Sequence, residues 1–247
     1  MSSMDTARET TRAVKKTVQA AGAFFFAPHT LERGAELGLD GVTLYVAGRG
    51  GVLGDVDDDA VVRAFHHFTA EALLALWEAG RKLAPPARVG ELYADCAREW
   101  GRTHLADLPE VERLAEITTS IVRANDLAGL APLYSAWRDV PLADDAPARL
   151  AQNLQTLREH RGGLHIVALA AHRLTALEAQ VAEGSPYLEF YGHRKPFPEV
   201  TAESAERYRA AEELTDELVA AGYAVLSEAE AADFAALEPA LGARLAH

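Results

Sequence analysis

The sequence predicts a mainly α-helical protein, and three observations support this prediction. Apolar residues recur at helical spacing, most clearly in the stripe formed by Val61, Phe65, Phe68, Leu73, Leu76 and Trp77. The acidic run Asp55–Asp59 precedes this stripe, where carboxylates cap and stabilise the first helical turn. Glycine and proline separate the stretches from one another. Together these features predict a multi-helix domain.

The first half of the chain contains five predicted helices. Pro28 separates the first two, and the acidic run Asp55–Asp59 marks the start of the third. The helices are expected at residues 5–26, 29–38, 58–80, 88–103 and 110–127. The segment Val42–Val46 is too short for its pattern to distinguish a strand from a buried helix. The stretch Gly48–Gly54 is expected to form a glycine-rich turn.

The second half begins with the longest helical stretch of the chain. This stretch covers residues 146–183, is interrupted only at Gly162-Gly163, and ends at Gly184-Ser185-Pro186. Two further helices are expected at residues 201–221 and 227–246, joined by a short extended piece from Tyr223 to Leu226.

A domain boundary is expected near the basic, proline-rich segment Gly192–Pro198. Residues 1–190 would then form a helical domain with a ligand-binding or active site. Residues 191–247 would form a small, degenerate winged-helix-like domain. The fold class is therefore mainly α, with a multi-helix domain followed by this smaller C-terminal one.

Composition and charge narrow the class of partner. The 247-residue chain has a net charge of −13, which opposes the counterion-release attraction that draws proteins to nucleic acid. No stretch approaches the roughly 20 apolar residues of a membrane-spanning helix. The single cysteine, Cys96, cannot form an internal disulfide and suits a reducing compartment. We therefore expect a cytoplasmic protein with a small-molecule ligand, and leave a homo-oligomer open.

The run Glu159–His165 is the strongest candidate for a functional site, because polar side chains flank two glycines inside a predicted helix. Each helical glycine costs roughly 0.8–1 kcal/mol relative to alanine. The pair therefore predicts close approach of another segment, a bend, or space beside the polar residues. Arg161 and His165 are four residues apart and share a helix face. His160 and His165 diverge by roughly 140° on an undistorted helix.

An acid–base site is one chemistry that these residues allow. Arg161 would hold an anionic or carbonyl oxygen while His165 or His66 moves a proton. These three residues are the candidate catalytic groups. The candidate ligand-binding residues are Arg49, His67, Glu159 and His160.

A divalent metal site is the alternative chemistry, and it is left open. The ion would be bound by His165, by His66 or His67, and by a carboxylate such as Glu71 or Glu159. The sequence contains no HExxH motif and no paired ExxH motifs of the di-iron type. Neither a P-loop nor a GxSxG nucleophile motif is present.

The order of several motifs resembles that of a largely uncharacterised bacterial family of helical proteins with a C-terminal helix-turn-helix-like segment. The matching motifs are Phe26-Ala27-Pro28, Leu37–Gly41, Arg49–Gly54, Phe65-His66-His67-Phe68 and, above all, Leu157–His165. The resemblance covers roughly residues 20–225. It implies an EHRGxxH signature whose functional positions are Glu159, His160, Arg161 and His165.

The chain departs from this family at two places. Its His66-His67 pair stands where the family has aromatic, small or amide-bearing residues, which adds a ligand or proton-transfer group. The C-terminal segment is acidic where a DNA-binding helix needs Lys or Arg. The acidic residues are Glu212, Glu213, Asp216 and Glu217.

Three hypotheses about function follow. The leading one is a small-molecule-binding protein with an Arg- and His-lined cavity in the helical domain, which leaves open whether that protein is also an enzyme. The second is a ligand-responsive transcription regulator with a C-terminal winged helix. The third is a noncatalytic protein that sequesters a metabolite.

Overall fold

A computed structural model describes residues 3–127 and 129–245, and these residues contain no β-strand. Their α-helices are α1 (Ser3–Gln19), α2 (Pro28–Ala35), α3 (Gly41–Gly51), α4 (Asp58–Ala64), α5 (Ala70–Leu83), α6 (Pro86–His104), α7 (Val111–Ala124), α8 (Pro132–Asp139), α9 (Ala146–Ala171), α10 (Ala176–Glu183), α11 (Ala202–Tyr223) and α12 (Glu228–Leu245). A single 3₁₀ turn, Ala20–Gly22, follows α1. The prediction of a mainly α fold is confirmed.

Short polar side chains set where many of these helices begin. Each accepts a hydrogen bond from a backbone N–H group of the first turn, which would otherwise lack a partner. The capping residues are Asp40, Asp57, Thr69, Asp145, Thr175 and Thr201. The acidic run before α4 therefore acts as the sequence predicts, with Asp57 as the cap.

Helix α9 lies at the centre of the packing and contacts α6, α7, α8 and α11. Because neighbours surround it, even its polar residues are buried, and Glu159 is only 2% exposed. The predicted interruption at Gly162-Gly163 is wrong, since the helix continues through both glycines and ends at Ala171. Tertiary packing on several sides outweighs the low helix propensity of the two glycines.

Helix α3 packs closely against α6, and this contact explains the glycine-rich stretch that follows Val46. The segment Val42–Val46 is part of α3 and is buried from Thr43 onward, and Gly48 to Gly51 complete the same helix rather than a turn. A Cβ atom on Gly51 would lie 2.6 Å from the backbone nitrogen of Gly90 in α6. Glycine is needed there because the two backbones touch.

The predicted helix 58–80 is in fact two helices, α4 and α5, separated by residues 65–69. Thr69 caps the second helix, and its backbone N–H also donates to the carbonyl oxygen of Tyr191. The break places His66 and His67 in a non-helical segment. Their direction is therefore set by the loop rather than by the apolar stripe.

The C-terminal helices pack on the first part of the chain. Helix α11 contacts α1 and α9, and α12 contacts α1 and α7. The extended piece predicted from Tyr223 to Leu226 is instead the end of α11 followed by a turn. Residues 191–245 contain no strand, whereas a winged helix includes a β-hairpin. The division of the chain at residue 190 stays a prediction.

Among the helices of the described residues, none combines sufficient length with sufficient hydrophobicity to span a membrane.

Candidate functional site

A cavity of about 570 Å³ lies between α9 and the elements around it. Its walls come from the end of α1, from α3, from the break between α4 and α5, from the start of α8, from α9, from residues 180–191 and from α11. Ligand cavities in proteins have volumes of roughly 300–1,000 Å³. The space is therefore large enough for a small organic molecule.

Arg49 and Glu159 form a buried ion pair at this cavity. The guanidinium of Arg49 donates from Nε and Nη2 to the two carboxylate oxygens of Glu159, at 2.7 and 2.8 Å, and joins α3 to α9. Tyr45 and Gln155 complete the network with hydrogen bonds to Arg49 and Glu159. Burial acts to raise the pKa of Glu159, but the charge and hydrogen bonds of Arg49 outweigh it and lower that pKa.

Arg161 connects α9 to α11. Its Nη2 lies 2.8 Å from an oxygen of Glu212 and 3.5 Å from one of Asp216. Lys15 of α1 pairs with the same two carboxylates at 2.8 and 3.0 Å. Arg161 is only 7% exposed, and its Nη1 is buried without a hydrogen-bond partner. The positive charge of Arg161 is therefore largely neutralised by carboxylates of the protein itself.

His165 lies one helical turn beyond Arg161 and shares the Glu212 contact. Its Nδ1 lies 3.1 Å from the hydroxyl oxygen of Thr215 and 3.2 Å from a carboxylate oxygen of Glu212. The hydroxyl of Thr215 already donates to the carbonyl oxygen of Ala211, at 2.7 Å. Since both neighbours must accept, the neutral ring carries its proton on Nδ1 and leaves Nε2 as an acceptor.

The charge state of His165 follows from its burial. Burial lowers the pKa of His165 to about 4, against the opposing effect of the Glu212 carboxylate. At neutral pH the imidazole is therefore uncharged, and Nε2 can accept a hydrogen bond or a proton.

His66 and His67 also line the cavity. Their rings are 5.7 Å apart, and the ring of His67 lies 6.3 Å from that of His165. The backbone carbonyl of His67 is fixed by Gln180 Nε2 and His193 Nε2. Burial, followed by the charge of His66, lowers the pKa of His67 to about 3, and burial also lowers the pKa of His66.

His160 is the predicted ligand-binding residue that does not line the cavity. It lies on another face of α9, is 1% exposed, and packs edge-on against the ring of Tyr134. Neither of its ring nitrogens has a hydrogen-bond partner. Burial lowers its pKa to about 4.

The proposed metal ligands are not arranged around a common point. Glu159 is engaged by Arg49, and Glu71 is exposed with Arg194 3.7 Å away. Among residues 3–127 and 129–245, no group of three or more His, Cys, Asp or Glu side chains is placed to hold a metal ion. The metal ligands predicted from the sequence therefore do not come together at one site.

Several polar cavity residues were not predicted from the sequence, among them Arg158, Glu183, Tyr191 and Tyr208. The signal for Arg158 lies in helix periodicity, because residues 158, 162 and 165 are spaced by four and three and share a face of α9. The other three lie outside the Glu159–His165 run. Only the tertiary structure brings them to it.

The two glycines of α9 have different surroundings. A Cβ atom on Gly163 would overlap the Cβ of Ala131 and lie 3.1 Å from its Cα, so glycine permits close packing there. A Cβ atom on Gly162 would have nothing within 4 Å. Gly162 lines the cavity, so the missing side chain leaves open space in it.

These features define a helical protein whose central helix presents arginine and histidine side chains to a cavity. The chain belongs to a helix-turn-helix family, whose model matches residues 7–189. The matched region ends before residues 191–247, where the sequence analysis expects a winged helix. No curated protein and no solved structure matches the chain.

Proposed function

We propose that this protein binds a small molecule in the cavity beside α9. One observation carries the proposal: six of the seven polar residues that stand out in the sequence line this single cavity. They are Arg49, His66, His67, Glu159, Arg161 and His165. Functional sites commonly combine an apolar cavity with a few convergent polar groups.

His165 is the residue proposed to contact the ligand and to accept a proton from it. Glu212 and Thr215 orient its ring from the Nδ1 side, so Nε2 is the acceptor. A carboxylate behind a histidine is the arrangement that supports a general base. The proposed role of Arg161 is to position this Glu212–His165 pair. His66 adds a second neutral imidazole to the same cavity.

Extraction of purified protein, followed by mass spectrometry, tests the binding function. The informative variant is Gly162→Leu, because its side chain would extend into the cavity from a position with no neighbour within 4 Å. The matched control is Ala170→Leu, at an exposed position of the same helix. We expect a compound that co-purifies with the wild type and the control but not with Gly162→Leu.

The same experiment can contradict the proposal. Absence of any co-purified compound, or equal amounts of it in all three proteins, would count against binding in this cavity. Circular dichroism of Gly162→Leu separates loss of the ligand from loss of the fold.

A second candidate function, ligand-responsive regulation of transcription, is favoured by the family match over residues 7–189. The net charge of −13 opposes it, because duplex DNA is bound through clustered positive charge. A mobility-shift experiment with promoter DNA over a range of salt concentrations tests it. Failure to bind at low salt would exclude direct DNA binding by this chain.

A further inference from the structure

Arg158 has a guanidinium group with no hydrogen bond in the described part of the chain. Arg49 is bound to Glu159 by two hydrogen bonds, and Arg161 is bound to Glu212. The nearest carboxylate oxygen to Arg158 is that of Glu159, 3.9 Å from Nη1, and Arg49 already neutralises it. The five N–H donors of Arg158 are therefore left for another partner.

The side chain of Arg158 is held in place by its surroundings, unlike that of a solvated surface arginine. Its side chain lines the cavity and is 29% exposed. Its guanidinium carbon lies 4.9 Å from the ring centre of Phe25, which is itself 6% exposed. Stacking on an aromatic ring holds the planar group in one orientation.

Open space lies next to Arg158 because of Gly162. The two residues are four apart on α9, and a helical side chain covers the turn on the N-terminal side of its own Cα. A side chain at residue 162 would therefore lie over the turn that carries Arg158. Glycine leaves this space free, and no neighbour within 4 Å requires the glycine for packing.

Charge decides which ligand group suits this place. The charge of Arg158 has no neutralising partner in this part of the cavity, since Arg49 and Glu159 neutralise each other. A carboxylate has one negative charge and matches the planar fork of a guanidinium. A dianionic phosphate would bring a second negative charge close to the buried Glu159. No other cation among these residues is free to neutralise that charge.

The rest of the ligand is indicated by the adjoining walls. The cavity is lined near α3 and the α4–α5 break by aromatic rings, among them Tyr45, Phe65, Phe68 and Tyr191. Offset and edge contacts with such rings favour an aromatic ligand body.

We propose that the cavity binds an aromatic carboxylate, with its carboxylate on Arg158 in the space that Gly162 leaves open. This inference rests on the proposed ligand-binding function and adds the chemical class of the ligand. It assigns Arg158 as the anion-binding residue of the site.

The test is titration calorimetry with three aromatic carboxylates, benzoate, 2-naphthoate and 4-phenylbenzoate, each compared with its neutral amide. In the wild type we expect at least one carboxylate to bind about tenfold or more tightly than its amide, because hydrogen bonds to a charged acceptor are stronger than those to a neutral one. Arg158→Gln should remove this preference, and Arg158→Lys should reduce it. Gly162→Leu should remove binding of both forms.

Arg88→Gln is the control, since Arg88 is exposed on α6 and does not line the cavity. It should keep the wild-type preference, and thermal unfolding of each variant shows that the fold is retained. The inference is overturned if no carboxylate in the panel is preferred over its amide, or if Arg158→Gln keeps the preference. The co-purification experiment is independent of these compounds, so the binding function can survive when the ligand class fails.

Discussion

The two adjacent glycines of α9 should respond in opposite directions to the same substitution. Gly162→Ala adds a methyl group where no atom lies within 4 Å. Alanine is more favourable than glycine in a helix by about 0.8–1 kcal/mol. We therefore expect Gly162→Ala to raise the free energy of unfolding by up to about 1 kcal/mol.

Gly163→Ala gains the same helix propensity but meets Ala131. The new Cβ would overlap the Cβ of Ala131 and lie 3.1 Å from its Cα, and neither atom can move without the backbone. Overpacking of this kind costs about 1–3 kcal/mol. The net effect expected is a loss of up to about 2 kcal/mol, which is the difference between these two terms.

Calorimetric melting without added ligand measures both effects. For a chain of this size, 1 kcal/mol corresponds to roughly 2–4 °C in Tm. The expected order of Tm is Gly162→Ala, then wild type, then Gly163→Ala. Adding Ala131→Gly to Gly163→Ala removes the overlapping methyl group and should recover most of the loss attributed to overlap.

Two results would refute this reasoning. If Gly162→Ala lowers Tm, the space beside residue 162 is not open in the folded protein. If Gly163→Ala melts at or above the wild-type temperature, the contact with Ala131 does not explain the second glycine.

Three further predictions concern the core. Arg49→Met should cost about 3–5 kcal/mol in urea unfolding, because it leaves the charge of Glu159 buried without its partner. His160→Phe should make the free energy of unfolding less sensitive to acid. Between about pH 7 and pH 5 the wild type should lose about 2 kcal/mol more of it than the variant, because the pKa of His160 is about 4 in the folded state and has the ordinary, higher histidine value in the unfolded chain. Gly90→Ala should cost about 1–3 kcal/mol, since its Cβ would lie 2.6 Å from the backbone carbon of Gly51.

The sign of the acid prediction follows from proton binding. The folded-state pKa of His160 is lowered, so the unfolded chain binds a proton at a pH where the folded protein does not. Stability from this residue is therefore complete above the ordinary histidine pKa and is lost as the pH falls toward about 4. An equal loss of stability in wild type and His160→Phe would contradict the assignment.

The other two predictions have internal controls. The double variant Arg49→Met with Glu159→Met removes both charges and should cost less than the sum of the single changes. Gly129→Ala adds a methyl group with nothing within 4 Å, so it should be close to neutral where Gly90→Ala is not.

Local sequence patterns predicted most of the helices but not their ends. Residues 88–103 and 110–127 correspond closely to α6 and α7, because caps, prolines and apolar spacing act over a few residues. The break between α4 and α5 was missed, since the apolar stripe continues through Phe65 and Phe68. Burial of those rings, rather than helix formation, explains their spacing.

The candidate site was predicted in part for the same reason. Arg161 and His165 stood out because they flank glycines within one helix. Arg158 was overlooked because its importance comes from what Arg49 does: Arg49 is bound to Glu159, so Arg158 is left with free donors. Helix spacing places Arg158 on the same face as Gly162 and His165, but it does not show which arginine keeps free donors.

The sequence by itself determined a mainly helical chain, its capped helix starts and the unusual composition of the Glu159–His165 run. These properties depend on neighbours three or four residues away. Only the tertiary structure decided that Glu159 binds Arg49, that His160 is buried against Tyr134, and that Gly162 faces open space while Gly163 faces Ala131. Each of these depends on which distant segment packs against which face of α9, and contacts between residues far apart in the chain are not encoded in local periodicity.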